Sequence, residues 1–146
     1  MKCKDCLSSK CKYAAEFGEG DCAMIKEDYI SFETAKLLKE KGFNESVNRF
    51  YEISTGKPLL VRSEYCRNSF TIDYAAPTHQ MALKWLREVH NIDIIAPPQF
   101  DNVEWTYSPI IFKLSIPCTE IRLNDNKQKK ELAIEVALKF TLENLI

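Results

Sequence analysis

The chain has 146 residues, of which 45% are apolar and 28% are charged, a balance that excludes a disordered protein and is typical of one globular domain. Lysine and arginine number 20, and aspartate and glutamate number 21, so the formal net charge is −1. No global field therefore attracts nucleic acid or an anionic membrane. No run approaches the roughly 18 consecutive apolar residues of a membrane span.

The sequence opens with a cysteine-rich segment, MKCKDCLSSKCKYAAEFGEGDCAMI, whose thiols follow the pattern C-x2-C-x4-C-x10-C: Cys3, Cys6, Cys11 and Cys22. The spacing of the first pair lets a tight turn aim two thiolates at one metal ion, and four thiolates complete a tetrahedral zinc shell. Gly18 and Gly20 allow the chain to turn back toward the first three cysteines. The pattern predicts a structural zinc site, while free thiols, disulfides and an iron–sulfur cluster stay open as alternatives.

The same segment bears on the cellular compartment. Its lysines interrupt any apolar core of the kind that a secretory signal peptide needs: Lys2, Lys4, Lys10 and Lys12. We therefore expect a cytoplasmic protein without a membrane segment, in which thiols stay reduced. The polar residues Lys26, Glu27 and Asp28 mark a boundary between a cysteine-rich arm, residues 1–27, and an α+β domain, residues 28–146.

The segment YISFETAKLLKEKGF predicts the first helix of the domain, because both of its ends carry termination signals. Ser31 is suited to cap the N-terminus, and Gly42 is suited to the left-handed conformation after the last turn. Downstream, the runs SVNRFYEIS and KPLLVRS flank the short turn TGK. Their β-branched and aromatic residues predict a β-hairpin.

A second helix is predicted for APTHQMALKWLREVHN, with Thr78 as its cap or Pro77 as its first helical residue. Its apolar residues recur at helical spacing and predict a core-facing stripe: Ala82, Trp85, Leu86 and Val89.

The last part of the chain predicts more strands and a final helix. NIDIIA is typical of a short buried strand, PPQFDN of an exposed turn, and VEWTYSPIIFKLSI of one long strand or two short ones broken at Pro109. ELAIEVALKFTLENLI predicts a C-terminal helix that is apolar around much of its circumference, which suits a deeply packed helix or a homodimer interface. The expected fold is α+β: a small, mostly antiparallel sheet of about five strands covered by about three helices, with the cysteine-rich arm.

The segments ISFETAKLLKEKGF, APTHQMALKWLREVHNI and ALKFTLENLI resemble a group of uncharacterised small proteins of gut bacteria and their phages and prophages. The resemblance covers most of residues 30–146, and the CKDC segment resembles cysteine-rich leaders of other small phage-encoded proteins. It implies an origin but no activity, since the group has no established one, and it transfers no functional residue.

Few residues outside the arm suggest chemistry. The chain has four glycines and no phosphate-cradling or dinucleotide-binding loop. His79 and His90 fall at opposite ends of one predicted helix, too far apart to share a proton or a metal ion. Cys66 and Cys118 are expected to be small core residues, and a Cys66–His79–Asp73 trio has proximity in sequence but no predicted geometry. We predict no catalytic and no cofactor-binding residue.

These observations favour a non-enzymatic, phage-related accessory protein that acts through contacts with an unidentified protein partner. The alternative is a small nucleic-acid-binding protein that uses the basic arm, with a second basic spot in NKQKK: Lys127, Lys129 and Lys130. Acidic residues dilute the charge of the arm and disfavour this alternative. An unrecognised hydrolase is a more distant alternative.

Overall fold

The computed structural model describes residues 27–54, 56–70 and 72–146. Over these residues the chain forms three α-helices: α1 (Phe32–Glu40), α2 (His79–His90) and α3 (Lys130–Asn144). The same residues form eight strands: β1 (Val47–Glu52), β2 (Leu59–Cys66), β3 (Tyr74–Ala75), β4 (Ile92–Ile95), β5 (Pro98–Phe100), β6 (Trp105–Tyr107), β7 (Ile110–Lys113) and β8 (Thr119–Arg122). All the strand pairs are antiparallel, so the predicted α+β class is confirmed.

The ends of α1 and α2 follow the sequence signals. The hydroxyl of Ser31 accepts a 3.3 Å hydrogen bond from the backbone N–H of Thr34, and Thr78 caps α2 through Met81 in the same way. Thr78 is therefore the cap, and Pro77 precedes the helix. Gly42 has a φ of +88°, which a side chain would strain, and it turns the chain so that Phe43 enters the core beside Leu38.

The strands form three small sheets, in the orders β2-β1-β3, β4-β7-β8 and β5-β6. The predicted hairpin of β1 and β2 is confirmed, and Pro109 separates β6 from β7 as one of the two expected forms. The expectation of one sheet of about five strands is wrong. Two short strands, β3 and β8, lie in segments without a clear strand pattern. In addition, prolines lack an N–H donor and interrupt the ladder that β4 and β7 form with β5 and β6.

That interrupted ladder is one long hairpin in a continuous register. Ile95 pairs with Ile110 at the end of β4 and β7, and Pro98 pairs with Tyr107 at the start of β5 and β6. The backbone N–H of Ser108 donates to the carbonyl of Pro97 between the two halves. We call the distal half, residues 98–107, the aromatic ribbon. PPQFDN is therefore not simply a turn, because Pro98–Phe100 form β5 and the bend begins at Asp101.

The core lies between the helices and the sheets. On α2, Ala82, Trp85 and Leu86 are buried as predicted, but Val89 is 56% exposed, so the apolar stripe ends before the last turn. Helix α3 is buried along two adjacent faces: Ala133, Ile134, Ala137, Leu138, Thr141 and Leu142. It packs on α1, α2 and the strands β4, β6 and β7. These contacts account for its apolar circumference within one chain, and the homodimer stays a prediction.

None of the helices in the described ranges has both the length and the apolar character that a membrane span requires.

Candidate functional site

The four predicted zinc ligands, Cys3, Cys6, Cys11 and Cys22, lie outside the residues that the structure describes. The zinc site therefore stays a prediction. Within the described ranges, no group of three or more histidine, cysteine, aspartate or glutamate side chains is arranged to hold a metal ion.

The two cysteines of the described ranges are free thiols in different surroundings. Cys66 is buried, as predicted, whereas Cys118 is exposed, so its assignment to the core is wrong. Burial raises the pKa of the Cys66 thiol, and the negative charge of Asp73 raises it further. A raised pKa disfavours the thiolate, which is the nucleophilic form. Cys66 is therefore a packing residue rather than a nucleophile.

The two histidines also have structural environments. The ring of His90 packs edge-on against Trp85, with 4.6 Å between the ring centroids. His79 points to Glu135, with 2.7 Å between Nε2 and Oε2, rather than to Asp73. The trio of Cys66, His79 and Asp73 is therefore not assembled as a catalytic unit.

Among the described residues, Glu135 is the centre of a polar network that joins the three helices. Its Oε1 accepts a 2.9 Å hydrogen bond from the backbone N–H of Ser31 and a short hydrogen bond from the hydroxyl of Thr34. Its Oε2 contacts the ring of His79. One carboxylate on α3 therefore joins the N-terminal residues of α1 and α2, where the helix dipoles favour negative charge.

Burial alone would raise the pKa of Glu135, but the hydrogen bonds from His79, Ser31 and Thr34 outweigh it, so that its pKa lies below the ordinary value. The carboxylate is ionised and all the partners named above are parts of the scaffold. A general base needs a free position for the proton that it takes. The geometry of Glu135 is instead that of a residue that holds the three helices together.

A cleft of about 510 Å³ lies next to this network, between the first turns of α2 and α3. Its lining includes three acidic residues, Glu27, Asp28 and Glu131, and the basic residue Lys130. In the preceding loop, Lys127 forms a 2.6 Å ion pair with Asp125. Two of the three lysines of NKQKK thus have acidic neighbours, which weakens this segment as a phosphate-binding site.

The aromatic ribbon carries a group of exposed apolar side chains. Phe100 and Trp105 are directly paired across β5 and β6, so their side chains lie on the same face. Their ring centroids are 5.2 Å apart with planes inclined by 37°, and the residues are 55% and 60% exposed. Val103, at the bend, is 86% exposed. The opposite face of β6 holds Thr106, which is buried. The ribbon is therefore buried on this face through Thr106 of β6, whereas Gln99 of β5 is exposed, and the face with Phe100 and Trp105 is open to solvent.

The bend of the ribbon is held in one shape. The carboxylate of Asp101 accepts 3.0 Å hydrogen bonds from the backbone N–H groups of Val103 and Glu104, and these bonds lower its pKa. Asn102 has a φ of 76°, a value that asparagine tolerates better than most residues. Glu104 accepts a 2.9 Å hydrogen bond from the side chain of Gln128. The base is fixed by two hydrogen bonds between the backbones of Tyr107 and Lys127, of 2.7 and 3.0 Å.

Sequence reasoning placed neither Phe100 nor Trp105 in a candidate site. A signal was present, because two aromatic residues flank a short polar segment that contains Asp101 and Asn102, as in a hairpin bend. Because prolines at positions 97 and 98 are typical of a turn, the sequence does not predict the pairing of β5 with β6.

No protein-family model matches the chain, and no curated protein or solved structure is significantly similar to it.

Proposed function

We propose that this protein is non-enzymatic and acts through protein contacts, with the open face of the aromatic ribbon as its recognition surface. The observation that carries the proposal is the exposed, rigidly paired Phe100 and Trp105. Exposed aromatic rings held together on a fixed backbone are typical of the anchor residues that contribute most to binding at protein interfaces.

The energetics of the surface support this choice. Phe100 and Trp105 are each more than half exposed, although the helices and sheets of the same chain bury other apolar side chains completely. Covering such a ring recovers roughly 25 cal/mol for each square ångström of apolar surface removed from water. A short ribbon that is anchored at its base also loses little conformational freedom on binding, which favours affinity.

The rest of the molecule offers less for catalysis. The histidine and carboxylate closest to an acid–base pair, His79 and Glu135, bond each other and the ends of α1 and α2. The alternative of nucleic-acid binding can cite the same ribbon, because bases stack on aromatic rings. The charged residues of the ribbon, Asp101 and Glu104, are negative and would repel the phosphates of a nucleic acid. We therefore prefer a protein partner.

Three further parts of the proposal rest on the sequence. They are the phage-related origin, the cytoplasmic location and the structural zinc site of Cys3, Cys6, Cys11 and Cys22. A reducing compartment agrees with the zinc site, since it keeps the four thiols available as ligands.

The test identifies the partner at the ribbon and then measures its affinity. A photo-crosslinking amino acid in place of Val103 in the full-length protein, produced in its native host, should link one protein reproducibly. That protein is then purified and titrated with the wild type, with a Phe100→Ser, Trp105→Ser double variant and with Ile116→Ser. Ile116 is fully exposed and lies outside the ribbon, so its variant controls for a general loss of surface hydrophobicity.

We expect the double variant to bind at least about tenfold more weakly, as for loss of interface anchor residues, with an unchanged melting temperature. The control should bind like the wild type. The proposal is wrong if the double variant binds with wild-type affinity, if no protein is linked, or if nucleic acid is linked instead.

A further inference from the structure

We infer that two copies of this chain associate through the outer edge of β8, so that their sheets β4-β7-β8 join into one antiparallel sheet about a two-fold axis at Ile121. The inference is independent of the aromatic ribbon, because it concerns a different sheet. It also differs from a dimer through the C-terminal helix, since α3 packs within its own chain.

The first observation is that β8 has an unpaired edge. Among the described residues, β8 is the last strand of its sheet and pairs only with β7. The backbone N–H of Leu123 donates to the carbonyl of Pro109, which makes these two residues a hydrogen-bonded pair. Since such pairs alternate along an antiparallel ladder, Ile121 bonds to β7, whereas the N–H and C=O groups of Glu120 and Arg122 point away from it. These outward groups are a template for a further strand.

The second observation is that the two residues with outward backbone groups carry opposite charges. Both side chains are exposed, and they form an ion pair within the strand. Charges on an edge strand usually oppose pairing with another chain. Here, however, an axis at Ile121 places Glu120 opposite Arg122 of the second copy, and Arg122 opposite Glu120 of the second copy. Each pair exchanges both of its backbone hydrogen bonds and also brings opposite charges together.

The charges also select one register. If the axis lay at Glu120, this carboxylate would lie opposite Glu120 of the second copy, and an axis at Arg122 would bring two guanidinium groups together. An axis between two residues would set Glu120 or Arg122 against Ile121, whose backbone groups point to β7, so the ladder would not form. The axis at Ile121 therefore satisfies both the backbone and the side chains.

The third observation is a row of isoleucines on the core face of the same sheet. Ile94 pairs with Ile111, and Ile111 pairs with Ile121, so the three side chains follow one another across the sheet. Ile94 and Ile111 are buried, but Ile121 at the edge is only partly buried. An axis at Ile121 continues the row into the second copy and covers this side chain.

The dimer is weak, because β8 has only four residues. A contact of this size buries less than the roughly 1,200 Å² of a stable protein interface, so we expect a dissociation constant of about 100 µM. The association therefore has to be measured at high protein concentration.

The test uses the full-length protein under reducing conditions, so that the exposed thiol of Cys118 cannot link two chains. Sedimentation equilibrium between about 10 µM and about 1 mM measures self-association. Glu120→Arg and Arg122→Glu each place like charges opposite one another at the axis, and each should weaken association about tenfold or more. An equimolar mixture of the two variants should restore it, because one copy then brings two positive charges and the other brings two negative ones.

Glu88→Arg and Lys84→Glu are the matched controls, because they make the same changes of charge on the exposed surface of α2. Each should associate like the wild type. Amide hydrogen exchange then locates the contact. Exchange of the Glu120 and Arg122 amides should slow as the protein concentration rises, whereas the Ile121 amide, which is bonded to β7, should be protected at every concentration.

The inference is wrong if the wild type stays monomeric up to about 1 mM, if the two charge variants associate like the wild type, or if their mixture stays monomeric. Protection that rises with concentration in α3 or in the ribbon, instead of at β8, would also contradict it, because the two copies would then meet elsewhere. These results are separate from the fate of the proposed function, which depends on the protein that is linked to the ribbon.

Discussion

Glu135 and His79 are 56 residues apart in the sequence, and their side chains meet with 2.7 Å between Oε2 and Nε2. The contact joins the interior of α3 to the first residue of α2. Since the same carboxylate accepts hydrogen bonds from Ser31 and Thr34 of α1, one side chain fixes the relative positions of all three helices in the described part of the chain. The stability of the helical layer should therefore depend strongly on Glu135.

Replacement of Glu135 by alanine should lower the free energy of unfolding by about 2–4 kcal/mol, because the buried hydroxyl of Thr34 and the backbone N–H of Ser31 lose their acceptor and His79 loses its partner. The measurement is urea unfolding at neutral pH. Glu143→Ala is the matched control, since Glu143 is an exposed carboxylate on the same helix, and it should cost less than about 0.5 kcal/mol. A loss below about 1 kcal/mol for Glu135→Ala would contradict the structural role of the network.

Acid should destabilise the protein through the same residue. The pKa of Glu135 is lower in the folded protein than the ordinary value of 4.5, so the unfolded chain binds the proton first as the pH falls. The stabilisation is complete above pH 4.5 and is lost as the pH falls through the folded-state pKa. Unfolding free energies across this range should decline less steeply for Glu135→Gln than for the wild type. Parallel curves for the two proteins would refute this assignment.

The caps of the helices were predictable because their signals are local. Ser31, Gly42 and Thr78 each act within one turn of a helix, and a short stretch of sequence contains the whole interaction. The class of the fold followed from the alternation of such segments. The end of the apolar stripe at Val89 was not predictable, because it depends on which neighbouring element extends far enough to cover the last turn of α2.

The candidate site was much less predictable than the helix caps. Pairing of Phe100 with Trp105 depends on a register that continues past two prolines, and proline is normally evidence against a strand. The Glu135 network joins segments that are about a hundred residues apart in the sequence, from Ser31 to Glu135. No local pattern specifies such a contact, since α3 contains three glutamates, Glu131, Glu135 and Glu143, and helical spacing does not show which of them meets Ser31.

Helix α3 provides a prediction about packing. Leu138 is fully buried, whereas Leu132 on the same helix is 51% exposed. Leu138→Ala should therefore lower the free energy of unfolding by about 2–5 kcal/mol, and Leu132→Ala by less than about 1 kcal/mol. Phe140 is only partly buried, so its replacement by alanine should cost less than that of a fully buried aromatic residue. Equal losses for the two leucines in thermal or urea unfolding would show that the buried faces of α3 are assigned wrongly.

The last prediction concerns the metal content of the full-length protein. Protein purified under reducing conditions should carry one zinc ion per chain, bound by Cys3, Cys6, Cys11 and Cys22 with sulfur–zinc distances of about 2.3 Å, because four thiolates satisfy tetrahedral zinc. Elemental analysis and X-ray absorption at the zinc edge measure these quantities. Cys22→Ser should lower the zinc content, since a hydroxyl is a poorer zinc ligand than a thiolate. Cys118→Ser is the control, because Cys118 is an exposed free thiol of the domain and should leave the zinc content unchanged.

Removal of the zinc should affect the arm and spare the domain. The described residues form a core of their own, in which Leu38, Leu86 and Leu138 are fully buried, and the predicted ligands all precede residue 27. A chelator should therefore speed proteolysis within the first 26 residues while the melting temperature of the domain changes little. Zinc-free protein under reducing conditions would refute the site. A large fall in the melting temperature on chelation would instead show that the metal supports the core itself, because the free energy of binding would then contribute to folding of the whole chain.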